Sequence, residues 1–340
     1  MRHIPLLLAS LTPVGPVLAT PTDTASAQVD TQQAATAQAA SMPAPPTVEE
    51  IEAAQFTGTP LADGQSALTV RVQVLLDRAG ISPGIIDGYK GAMSESAIRA
   101  YEHREGLMVD GLLDEEVWIG LGGSMATGIT MTYVITPEDT QITPDLPDDY
   151  SRKAQLDWLG FEHVAEGIAE RFHMDEDFLR DLNPDATFTQ GEAITVVDPG
   201  PSLEGEVARI EISERRLRAY DGQDGVVASY PVAVGSRTLP SPSGLHRVDA
   251  VAVEPNYTYR PDVNFQQGDN TEPLILPPGP NGPVGLVWID LSKPTYGIHG
   301  TASPAKLYEE ASHGCVRMTN WDARELAHMV DTGIEVEFVE

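Results

Sequence analysis

A single cysteine, Cys315, is all the thiol chemistry in this chain of 340 residues, so no disulfide can form within it. Aromatic residues make up only 6%, and cations are scarce, with 21 Lys and Arg against 51 Asp and Glu for a formal net charge of −30. A field of that sign repels phosphates, which excludes nucleic acid as a partner. Beyond the N-terminal stretch, no apolar run approaches the roughly 20 residues that a membrane-spanning helix needs. Abundant Ala, Pro and small polar residues point to compact units joined by flexible connectors.

The N-terminus has the layout of an export signal over residues 1–27. Arg2 and His3 precede an apolar stretch from Ile4 to Ala19, and Ala25-Ser26-Ala27 supplies a small-x-small cleavage pattern. No cysteine lies near the cut, which argues against a lipid anchor. An unpaired thiol in an oxidising compartment is a hazard, so its retention points to a chemical role.

Residues 28–60, rich in Ala, Gln, Thr and Pro, lack the large apolar side chains that offset ordering entropy; they predict a disordered linker with a short helix from Val48 to Gln55. In residues 61–125, Val72, Leu75, Leu76 and Ala79 fall on one helix face, and Ser94 reads as the N-cap of a second helix carrying Ala97, Ile98 and Tyr101. A third short helix is expected from Asp114 to Leu121. These helices, with turns at Asp87-Gly88 and Asp110-Gly111 and with Trp118, resemble the small three-helix peptidoglycan-binding domain. After a connector at 126–155, residues 156–198 carry Val164, Ile168 and Phe172 on one helix and Phe178, Leu179 and Leu182 on another. Asn183-Pro184 ends that helix before a strand from Gly191 to Val197. This α+β pattern resembles a LysM module without a recognisable opening strand; a spacer without sugar affinity is the equal alternative. Residues 206–340 alternate apolar and polar positions at Ala208–Ile212, Tyr230–Val234, His246–Val251 and Gly333–Phe338, with one helix from Trp321 to Val330. A mainly β domain built on a mixed sheet or sandwich is expected.

Two segments of that domain concentrate reactive side chains: Tyr296-Gly297-Ile298-His299-Gly300-Thr301 and Ser312-His313-Gly314-Cys315-Val316-Arg317-Met318-Thr319-Asn320. Cysteine is a strong nucleophile as its thiolate, and a nearby histidine favours proton removal. Gly314 permits tight backbone geometry, which lets neighbouring amides serve as an oxyanion cradle. Cys315 as a buried core residue fits poorly with such polar neighbours. A metal held by Cys315, His299 and His313 matches no common zinc spacing.

His299-Gly300-Thr301 followed by Ser312-His313-Gly314-Cys315-Val316-Arg317 closely resembles the L,D-transpeptidases of the YkuD type. Pro242-Ser243-Gly244, Leu276-Pro277-Pro278-Gly279-Pro280-Asn281 and the closing Gly333 to Val336 strand add to the match. The resemblance implies an exported, periplasmic cell-wall enzyme that needs no metal or cofactor. Its partners would be peptidoglycan stem peptides and glycan, with a neighbouring stem amine, an outer-membrane lipoprotein lysine or water taking the acyl group. It implies that Cys315 attacks the peptide carbonyl, that His299 is the base, and that the Gly300 carbonyl orients the His299 ring. Amides of His313, Gly314 and Cys315 would hold the oxyanion. Arg317 would bind a substrate carboxylate or brace the loop. Asn320 would be a polar site residue or the cap of the following helix, and Tyr296 would line the pocket or pack within a strand.

Overall fold

The computed structural model describes residues 44–340 except 214, 237, 264, 310, 311, 313 and 340. The expected export signal at 1–27 and the linker up to residue 43 lie outside the described residues.

The short helix expected near Val48 forms, and its packing shows that the stretch 28–60 is not a disordered linker throughout. Thr47 and Glu50 form a capping box that starts α1 (Val48–Ala53). Ile51 is fully buried, and the buried Arg71 guanidinium donates to the Ile51 and Glu52 carbonyls. The α1 carbonyls thereby gain the partners that a short helix end otherwise lacks. Three helices follow: α2 (Ala67–Arg78), α3 (Ala92–Glu105) and α4 (Glu115–Gly120). The N-cap of α3 is Gly91, not Ser94; Ser94 is buried inside the first turn, where its hydroxyl accepts from Gln73 and donates to the Tyr89 carbonyl.

The next unit begins earlier than the sequence suggested. Strand β1 (Thr130–Val134), inside the presumed connector, pairs antiparallel with β2 (Ala193–Val197), and between them lie α5 (Tyr150–Lys153), α6 (Val164–Arg171) and α7 (Glu176–Leu182). The opening strand was illegible because its outward side chains Met131 and Val134 are exposed apolar residues, which blur the alternation. This unit and the helical unit share one apolar core, running from Ile51 through Leu76, Ile86 and Trp118 to Phe178 and Val196.

The C-terminal unit is mainly β. Its strands are β3 (Arg209–Ile212), β4 (Arg216–Tyr220), β5 (Val226–Pro231), β6 (Gly244–Val253), β7 (Tyr257–Tyr259), β8 (Leu274–Leu276), β9 (Val287–Leu291), β10 (Gly297–His299), β11 (Val316–Arg317) and, after α8 (Asn320–Met329), β12 (Glu335–Phe338). Eight of them form a mixed sheet in the order β11-β10-β9-β6-β12-β3-β4-β5, in which β12 with β3 and β10 with β11 are parallel. Beyond β5, Ala233 pairs with Arg317 of β11, each residue's amide donating to the other's carbonyl, so the two ends of the sheet meet. Helix α8 packs Ala323, Leu326 and Ala327 into the core with Ile289, Ile298 and Val316. β7 and β8 form a separate two-stranded ribbon.

Polar contacts join the C-terminal unit to the preceding ones. Arg216, buried, donates to the carbonyls of Ser82 and Ser229, and Leu159 exchanges backbone hydrogen bonds with the Pro278–Asn281 loop.

Candidate active site

Parallel pairing of β10 with β11 sets Ile298 beside Val316 and His299 beside Arg317, while antiparallel pairing of β10 with β9 sets His299 beside Trp288 and Gly297 beside Asp290. Side chains alternate along a strand, so Trp288, His299 and Arg317 share one face, and Cys315, two residues before Arg317, joins it. The sheet thereby brings together the two residues that the sequence marked as reactive.

His299 is buried, and its Nδ1 lies 2.7 Å from the Gly300 carbonyl oxygen, so Nδ1 carries the hydrogen and Nε2 is left as the basic nitrogen. Burial lowers its pKa to about 4, against the Gly300 hydrogen bond and with a further push from the Arg317 charge. Gly300 is required by space. A Cβ there would run into Asn320 Oδ1, so only glycine lets the carbonyl swing back onto the imidazole.

Cys315 sits just before β11 and is half-buried. Its Sγ is 3.7 Å from the Thr295 carbonyl oxygen. Burial raises the thiol pKa, a hydrogen bond to the Gly297 backbone opposes the rise, and the Asp290 charge adds to it. Thr295 holds φ at 71°, a left-handed conformation that is unfavourable for a β-branched residue and concentrates at functional sites.

The loop before Cys315 is tied by hydroxyls. Ser312 donates to the Cys315 carbonyl and accepts the Gly314 N–H at 3.0 Å, while Ser241 donates to the Gly314 carbonyl at 2.8 Å. The Gly314 amide, expected among the oxyanion donors, is therefore taken by Ser312. His313 lies outside the described residues. Gly314 has φ at 117°, and a Cβ would meet the Tyr296 ring at 2.9 Å. Tyr296 lies in the loop between β9 and β10, outside any strand, with Lys293 Nζ 4.9 Å from its ring centre. Arg317 is half-buried, with its backbone paired to Ala233.

Asn320 does neither of the expected jobs. Thr319 caps α8 by accepting the Asp322 amide, and Asn320, 1% exposed, spends its side chain on Leu286, Pro280 and Glu170. A residue so buried presents nothing to a substrate.

Three contributors escaped the sequence reading. Trp288 stacks on His299, with ring centres 5.7 Å apart and planes inclined by 20°. With Thr295, Tyr257, Thr258, Arg260 and Val284 it lines a cleft of about 210 Å³, two of whose walls, Trp288 and Thr295, also contact His299 and Cys315. Tyr257, whose phenol is raised by burial with Tyr150 and Cys315 among its electrostatic neighbours, forms another wall. Only the register of β9 could have announced Trp288, because its signal is a cross-strand one.

The site thus offers a thiol and a backbone-oriented imidazole on one face of a mixed sheet. Residues 205–337 match the family profile of the L,D-transpeptidase catalytic domain, named YkuD, and residues 65–119 match that of a peptidoglycan binding domain. The L,D-transpeptidase YkuD of Bacillus licheniformis is 33% identical over 177 residues, covering 51% of this chain and 92% of the relative. The Escherichia coli L,D-transpeptidase YbiS is 27% identical over 214 residues, covering 58% of this chain and 69% of the relative. Among solved structures, that of an Enterococcus faecium L,D-transpeptidase shares 20% identity at a TM-score of 0.30, covering 40% of this chain and 50% of that one. The chain belongs to the YkuD family of L,D-transpeptidases and is an enzyme of that class with an attached peptidoglycan-binding domain. Among the described residues, no helix is long and apolar enough to cross a membrane.

Proposed function

We propose that Cys315 is the nucleophile with which this L,D-transpeptidase takes the acyl group of a peptidoglycan tetrapeptide stem and passes it to an amine. The contact of His299 Nδ1 with the Gly300 carbonyl carries this reading, because it leaves Nε2 to accept the thiol proton. Sγ bonds to the carbonyl carbon on the donor side of the terminal D-alanine. The C–N bond then breaks, and the imidazolium returns its proton to the leaving amine. A thioester remains. An acceptor amine attacks it, forms the new amide and restores the thiol. The amides of Cys315 and His313 are oxyanion donors of the loop, while the Gly314 N–H is engaged by Ser312. Arg317, on the same face, attracts the donor's carboxylate.

The low pKa of His299 and the raised pKa of Cys315 make the resting pair neutral thiol and neutral imidazole. Proton transfer then accompanies attack instead of preceding it.

The family and the peptidoglycan-binding domain support work outside the cytoplasm, in the periplasm, against the cell wall. The antiparallel pairing of β1 with β2 supports reading that unit as a LysM-like glycan-binding module. A neighbouring stem amine, giving a 3→3 crosslink, or a lipoprotein lysine is the acceptor.

Incubation with purified tetrapeptide muropeptides tests the reading. The parent protein is expected to release D-alanine and form dimers, and Cys315→Ala to do neither. Free tripeptide alone would make the protein a carboxypeptidase, and D-alanine release by Cys315→Ala would remove the cysteine from the mechanism.

A further inference from the structure

We propose that Glu170, which lies before the L,D-transpeptidase domain in the chain, is a positioning residue for His299, acting through Asn320 and the Gly300 backbone. Glu170 lies in the last turn of α6 of the preceding unit and is buried. Both its carboxyl oxygens accept from Asn320 Nδ2, at 2.9 and 3.2 Å, across a sequence separation of 150. The same amide nitrogen also donates to the Pro280 carbonyl at 3.2 Å.

An asparagine amide has two orientations, and its partners decide between them. Two acceptors on one side, Glu170 and Pro280, fix Nδ2 there. Oδ1 must then face the other way, where it accepts the Leu286 amide at 3.2 Å and abuts the α-carbons of Gly285 and Gly300. Gly300 in turn presents the carbonyl that holds His299 Nδ1 at 2.7 Å. The chain of contacts runs from α6 to the catalytic base without a break. Loss of the Glu170 acceptors leaves only the Pro280 carbonyl to hold Nδ2, which loosens the amide and lets the Gly300 peptide against Oδ1 shift from its position.

The neighbouring contacts show the same dependence of the catalytic domain on the preceding unit. Asn281 donates to Glu166 at 2.8 Å and to the Gly160 carbonyl at 3.1 Å, so α6 grips the Pro278–Asn281 loop as well. Burial pushes the Glu170 carboxyl up to about 8, so near neutral pH it is mostly protonated, and a glutamine reproduces its shape and its acceptor oxygen.

The role rests on His299 acting as the base, and the test separates the two ideas. The full chain is compared as parent, Glu170→Met, Glu170→Gln, Asn320→Ala, Glu170→Met/Asn320→Ala and His299→Asn. Acyl-enzyme formation is followed by mass spectrometry with a tetrapeptide donor and with a carbapenem, each variant held well below its own melting temperature. Met keeps the volume of Glu170 and removes its acceptors, and the melting temperature of each variant shows that it is folded in the assay. Glu170→Met and Asn320→Ala are expected to slow acylation about 10- to 100-fold with donor KM little changed, as a misplaced catalytic group does. The double variant is expected to be no slower than the worse single one, and Glu170→Gln to recover most of the rate. In NMR spectra the downfield His299 Nδ1–H resonance is expected to shift or broaden in Glu170→Met. A folded Glu170→Met that acylates at the parent rate, additive losses in the double variant, or a Glu170→Gln as slow as Glu170→Met would overturn the positioning role while leaving a slow His299→Asn to uphold the base. A His299→Asn that acylates at the parent rate would overturn both.

Discussion

Trp288 lies nearly flat against His299 and, at its far edge, donates its indole N–H to Asp290 Oδ1 at 3.0 Å. It is thereby pinned as a lid over one side of the base. Burial is the main reason that His299 stays neutral down to about pH 4. Trp288→Ala admits water to the imidazole, which favours its charged form. The acid limb of kcat/KM is expected to move up from about 4 toward the ordinary histidine value, and Trp288→Phe to move it less. A pH–rate profile with an unmoved acid limb in Trp288→Ala would remove the tryptophan from this role.

Cys315 and His299 resting as a neutral pair makes a prediction about thiol reactivity. Burial, with the Asp290 charge adding to it, raises the thiol above its ordinary value. Alkylation by iodoacetamide is therefore expected to climb steadily through pH 9, without the plateau between pH 5 and 7 that a thiolate–imidazolium pair produces. Asp290→Asn removes the opposing charge and is expected to speed alkylation several-fold at pH 8. A plateau in the parent, or slower alkylation of Asp290→Asn, is the contrary result.

Gly314 combines a positive φ with a Tyr296 ring in the place of a side chain. Gly314→Ala is expected to lower stability by about 1–3 kcal/mol, because overpacking and left-handed strain add. Acylation is expected to fall further than the stability loss explains, since Cys315 is the next residue. Tyr296→Ala in the same background relieves the clash but not the strain, and is expected to recover only part of the melting temperature in calorimetry.

Stability against pH should reflect the acids buried where α6 and α8 approach α2. Burial pushes Glu170 up to about 8 and Asp322 up to about 7. Between the ordinary carboxylate value and these values the native state keeps protons that the unfolded chain has released, so stability falls as pH rises. His173 works in the same direction. Burial opposes its charge, Asp77 at 2.7 Å outweighs burial, and the raised pKa means that its contribution is lost as pH climbs through it. Each retained proton is worth about 1.4 kcal/mol per pH unit. The melting temperature is expected to drop from pH 6 to pH 8.5, and Glu170→Gln and Asp322→Asn to flatten the slope. A melting temperature that holds or rises across that range in the parent contradicts it.

Much of the site could be read locally. The His299-Gly300 pair and the Ser312–Arg317 run are short segments whose side chains are chemically unusual for core strands. The helices α2, α6 and α8 followed from their apolar spacing. What escaped depends on distant partners. Trp288 joins the site through strand register, Glu170 through a contact 150 residues away, and Gly314 donates to Ser312 because the loop folds back on itself. Asn320 looked like a site or cap residue because its neighbours are polar, but the cap is Thr319, one residue earlier. β1 was hidden by the exposed apolar residues Met131 and Val134, which break its apolar–polar alternation.

The meeting of Ala233 with Arg317 has a mechanical consequence. The bridge between Ala233 and Arg317, with that of Ile81 to Ser229 on β5, narrows the edge that the sheet offers to a second chain. The seam of this closure runs through β11, directly beside the nucleophile, and is held there by a pair of backbone hydrogen bonds and the Ser312–Val234 contact. Any opening of the closed sheet begins where the fewest bonds must break, so the catalytic loop sits on the hinge line of the domain. Cys315 is thus mounted beside the seam where the fewest backbone bonds hold the closed sheet.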